Sequence, residues 1–121
     1  MNRNWSLVAG MNGFLAVALG AFGAHVLRDR ISADSLEIFK TGVHYHLIHA
    51  VFLGLVAWRK SDSAADRWTA TLLAIGTLLF SGSLYVLAIT GLKFLGAITP
   101  FGGLCFMAAW LWFGISEWKR A

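Results

Sequence analysis

Charge is scarce in this chain. Only 13% of its 121 residues are Asp, Glu, Lys or Arg, where a soluble globular domain carries about 25%. With a mean hydropathy of +0.67, that scarcity excludes a soluble domain. A single proline excludes a proline-rich linker. A single cysteine, Cys105, excludes an intrachain disulfide and leaves the redox compartment open. Acids are rarest: Asp29, Asp34, Glu37, Asp62, Asp66 and Glu117 all fall outside the interiors of the long apolar runs. No complete catalytic constellation is present, and the expectation is a protein that is not an enzyme. The formal charge of +4 does not point to nucleic acid, because the basic residues sit at the ends of apolar runs, where they orient helices and meet anionic headgroups. The length allows one domain, residues 1–121.

What is present is hydrophobic helix. A first span covers about residues 5–27 and, at 1.5 Å per residue, is roughly 34 Å long, enough for a bilayer core of about 30 Å. A signal-peptide apolar region is only about 7–15 residues, so this run is expected to stay in the protein as a span. Ala9, Gly13, Ala16, Gly20 and Ala24 recur along it at spacings of three and four. This small-residue stripe lets another helix backbone approach closely, and a partner helix in the same chain is expected.

Residues 28–40 mix charged and apolar side chains and predict a short amphipathic segment at the membrane surface, with Ser32 or Asp34 opening a helix. Further spans are expected at about 41–58, 68–90 and 99–117, with Thr99 as N-cap and Pro100 in the first turn of the last. Trp5, Trp58, Trp68 and Trp118 fall at the span ends, as an interfacial aromatic belt requires. The fold class is therefore an all-α, antiparallel bundle of four membrane helices. Both termini share one face. That face holds Arg3, Arg59, Lys60, Arg67, Lys119 and Arg120, and the other holds Arg28, Arg30, Lys40 and Lys93, which favours cytoplasmic termini.

The chemistry gathers in Thr41–Ala50, with three of the four histidines and one of the two tyrosines. Depth counting from the span ends brings Tyr45, His46 and His49 towards Ser81 and Tyr85, with His25 at the rim, near the non-terminal face. His44 points elsewhere on the helical wheel. Several chemistries stay open for His25, His46 and His49: metal ligation, haem ligation, or a proton relay. No cysteine or carboxylate joins them. A polar set that fixes helix register, at about 0.6–2 kcal/mol per bond, and a site for a lipid headgroup or small ligand are the other readings. Gly20–Ala24 lies within a helix and follows no strand, so it is no phosphate loop. Ser81 has no base beside it. Trp110 and Trp112 read as lipid- or helix-facing bulk, and Met11 and Met107 as filler.

Four motifs stand in a familiar order: Gly20-Ala21-Phe22-Gly23-Ala24-His25; Thr41-Gly42 with Tyr45-His46 and His49-Ala50; Phe80-Ser81-Gly82-Ser83-Leu84-Tyr85; and Ile98-Thr99-Pro100-Phe101-Gly102-Gly103. In these the chain resembles the small membrane proteins of domain of unknown function 423, also called UPF0382 inner membrane proteins, of which human transmembrane protein 256 is a relative. The resemblance implies a four-helix protein of a bacterial inner membrane and carries over no catalytic residue. The leading expectation is a non-enzymatic packing or accessory module that holds membrane lipid, a small ligand, a partner membrane protein or a second copy of itself. The alternative is a transport or redox protein using His25, His46 and His49.

Overall fold

A computed structural model describes residues 3–59 and 61–121. Met1, Asn2 and Lys60, the last counted above among the positive residues of the terminal face, lie outside the described residues. Helix α1 spans Arg3–His25 and runs into a 3-10 turn at Leu27–Asp29. Helix α2 spans Ala33–Trp58. The third span is built from α3 (Ala64–Thr77), a π-turn (Leu78–Gly82) and α4 (Ser83–Thr90). A second 3-10 turn, Lys93–Ala97, leads to α5 (Thr99–Arg120). Four segments are long and apolar enough to cross a bilayer: Arg3–Asp29, Ala33–Trp58, Ala64–Thr90 and Lys93–Arg120, with mean hydropathies of 1.7, 1.2, 2.1 and 1.6. The protein is an all-α, four-span membrane bundle.

The second helix begins at Ala33 rather than near Thr41. Ser32 supplies the cap, its Oγ accepting the Ser35 N–H at 3.1 Å, and Asp34 suits the positive end of the helix dipole. Leu36, Phe39 and Val43 are buried at helical spacing, so the amphipathic connector is the first turns of α2 itself. Ser63 caps α3 in the same way, accepting from the Asp66 N–H at 3.1 Å. Gly91 ends α4 at φ +71, donating its N–H to the Leu87 carbonyl, a left-handed cap that suits glycine. Thr99 is not the N-cap of α5. Ile98 holds that position, and the Thr99 hydroxyl lies 2.6 Å from Ser83 Oγ and 3.2 Å from the Leu95 carbonyl.

Helix α1 packs on α2, and α5 packs on α3, while α2 also meets α3 and α4. In the α1 stripe Ala16 is fully buried and Ala9 nearly so, while Gly20 faces Val43 and Ala24 is exposed. The π-turn is held closely by its neighbours. A Cβ on Gly102 would stand 2.7 Å from the Phe80 Cα, so only glycine lets α5 approach the backbone there. Two apolar layers result. Phe52, Leu53, Val56, Leu73 and Phe106 fill the half nearer the termini, and Leu27, Leu36, Phe39, Val43 and Ala88 the other half. The stretch of α2 between them carries His46 and His49.

Candidate functional site

A polar layer therefore crosses the middle of the bundle, not its non-terminal end. Starting α2 at Ala33 moves the histidines inward: His46 lies 13 residues into the helix, roughly 20 Å along it. His46 and His49 are each 4% exposed.

His46 Nε2 lies 2.6 Å from Asn12 Oδ1 and Nδ1 lies 2.8 Å from the Tyr85 hydroxyl. An amide oxygen only accepts, so Nε2 carries a proton, and in the neutral ring the Tyr85 O–H donates to Nδ1. The set thus joins α1, α2 and α4. Gly42 makes room for it, since a Cβ there would stand 2.9 Å from Tyr85 Cε1.

His49 belongs to a second set. Its Nδ1–H donates to the Tyr45 carbonyl at 2.7 Å, and its Nε2 accepts the Trp110 indole N–H at 3.1 Å. Its ring stacks on Phe106 with centroids 3.6 Å apart. Both neighbours have a fixed role, since a carbonyl only accepts and an indole N–H only donates. The neutral ring is the form that fits. His46 differs, because a rotating tyrosine hydroxyl can donate or accept.

The remaining residues named from sequence divide. Ser81 is fully buried, but it donates to the Gly42 carbonyl at 2.7 Å rather than to a histidine. Tyr45 lies half-exposed against Phe80, with ring centroids 4.5 Å apart. His25 is not at the rim of this layer. It is exposed at the end of α1, 13 residues beyond Asn12 and so about 20 Å away along the helix. Among the described residues no three His, Cys, Asp or Glu side chains are grouped to hold a metal.

Two participants escape the sequence reading. Asn12 stands three residues after Ala9 and four before Ala16, on the face that the stripe turns to α2, and that spacing was the available signal. Trp110, read as bulk, is the hydrogen-bond donor to His49.

Beside the layer, α1 stands away from the third span and leaves a groove of about 610 Å³. Leu7, Met11, Leu15 and Leu19 of α1 form one wall, and Ala74, Thr77, Leu78 and Gly82 the other. Asn12, His46, Tyr85 and Thr77 are its polar residues, the Thr77 hydroxyl being turned to the Leu73 carbonyl of its own helix, and no charged side chain lines it.

A charged set stands at the terminal face. Asp66, with its side chain 3% exposed, pairs with Arg120 at 3.1 Å and Arg59 at 3.6 Å. Arg59 grips Glu117 with two bonds of 2.8 and 3.1 Å, and Arg120 also donates to Glu117 and Ser63. The bond to Glu117 raises the pKa of the Arg59 guanidinium above its ordinary value. A buried carboxylate therefore exists after all, at the end of the bundle and fully engaged.

Four apolar helices around a mid-membrane polar layer define a small multi-span integral membrane protein. The chain belongs to the family described as protein of unknown function (DUF423), which matches residues 19–103, a stretch that includes His46, His49, Ser81 and Tyr85 but not Asn12. It is 44% identical over 111 residues to the UPF0382 inner membrane protein YgdD of Escherichia coli K12, covering 90% of this chain and 85% of that one. It is 43% identical over 108 residues to the UPF0382 membrane protein YwdK of Bacillus subtilis strain 168, covering 87% and 88%. The UPF0382 membrane protein SH2409 of Staphylococcus haemolyticus is 40% identical over 108 residues, covering 87% of each chain. No solved structure matches the chain.

Proposed function

We propose that this inner-membrane-type protein is a non-enzymatic binding module that holds a membrane-resident amphiphile in the groove between α1 and the third span. The groove itself carries the reading. It is largely apolar, open at the side where the bilayer would lie, and carries Asn12, His46 and Tyr85, joined by hydrogen bonds, along its lining. A largely apolar concavity with a few placed polar groups is the usual form of a small-ligand site. Neighbouring lipid enters such a groove without crossing water. Both termini face the cytoplasm in this reading, following the excess of Arg and Lys on their side.

The transport or redox alternative draws less support. His46 and His49 each commit both ring nitrogens to protein partners, and His25 is distant. An optical spectrum with elemental analysis of the purified protein tests it. A stoichiometric metal or haem lost in His46→Ala and His49→Ala would replace the proposal.

The direct test is mass spectrometry of the protein extracted in mild detergent. Wild type is expected to carry one amphiphile per groove. Leu15→Trp, which fills the groove without touching a hydrogen bond, is expected to emerge empty. Equal loading of the two would overturn the reading.

A further inference from the structure

We infer that the groove selects an uncharged lipophilic carbonyl compound, with a quinone as the representative probe, rather than a phospholipid headgroup. This rests on the reading of the groove as a binding site and adds the chemistry of its occupant.

Depth is the first argument. Asn12 lies nine residues into α1, about 14 Å from the helix start and well inside the hydrocarbon region. The phosphate and esters of a phospholipid sit at the interface and do not reach it. Charge is the second. With no Lys, Arg, Asp or Glu along the groove, an ionised head at this depth would find no counter-ion.

The hydrogen bonds supply the third argument. Asn12 Oδ1 is taken by His46, and among the described residues nothing pairs with the Asn12 NH2. A donor facing hydrocarbon has no water to satisfy it, which is a costly arrangement unless something in the groove accepts from it. An acyl chain alone offers no acceptor. A carbonyl does, and it enters the hydrocarbon core without charge. The volume of about 610 Å³ suits a ring with part of a prenyl tail, within the usual range of about 300–1,000 Å³ for small-ligand sites.

The test uses full-length protein in phosphatidylcholine nanodiscs with a tritiated benzoquinone bearing one isoprene unit. Empty nanodiscs correct for partitioning, and a tritiated aromatic hydrocarbon with the same tail but no carbonyl serves as the comparison ligand. Wild type is expected to bind the quinone saturably and the hydrocarbon at least tenfold more weakly. Asn12→Leu should weaken quinone binding at least tenfold, and Leu15→Trp should abolish it. If quinone and hydrocarbon bind alike, unchanged in Asn12→Leu but lost in Leu15→Trp, the carbonyl inference is overturned and the binding groove stands. If neither ligand binds saturably, or Leu15→Trp changes nothing, both fall.

Discussion

The two polar sets of this protein are built to opposite plans. At the terminal face, Arg59, Asp66, Glu117 and Arg120 neutralise one another, and Asp66 is almost wholly covered. Together they join the end of α2, the start of α3 and the end of α5. In mid-membrane, Asn12, His46 and Tyr85 form a chain open at both ends, with unused hydrogen-bonding capacity beside an apolar groove. The closed set has the form of a clamp. The open set has the form expected of the proposed site, because unpaired polarity in hydrocarbon is costly.

The sharpest way to break this comparison is to open the closed set. Asp66→Ala leaves two guanidinium groups without their shared buried partner, and the loss of stability should be about 3–5 kcal/mol. Thermal unfolding in detergent measures it, and the folded fraction should still carry its amphiphile. Replacing the centre of the open set costs less. His46→Phe removes two interhelical hydrogen bonds in the membrane, roughly 0.6–2 kcal/mol each, and should reduce both stability and ligand loading. The smallest stability change belongs to Asn12→Leu. The variant loses one interhelical hydrogen bond, from His46 Nε2, while an amide with an unpaired NH2 leaves the hydrocarbon. These effects offset one another to within about 1 kcal/mol, so this variant should unfold almost as wild type while losing the ligand. A stability loss as large as that of Asp66→Ala would make Asn12 part of a clamp instead.

Much of the architecture is legible in the sequence because lipid imposes it. An apolar run that must satisfy its own backbone becomes a helix, and four such runs give four spans. The start of α2 is less legible. Charged residues between Arg28 and Lys40 resemble a connector, yet Leu36 and Phe39 continue the buried face of the helix. That offset carried the expected site towards the non-terminal face and drew His25 into it. The π-turn adds a residue to the third span with no local sign beyond glycine and serine. The clamp depends on pairs 54 and 58 residues apart, which only the assembled bundle brings together.

The most direct measurement of the central claim is a density map of the protein in lipid nanodiscs, resolved well enough to show side chains in the groove. The account predicts elongated density between α1 and the third span, with one polar end within hydrogen-bonding reach of the Asn12 amide. A groove closed by α1 packed against α3, with the Asn12 NH2 bonded to protein, would contradict it.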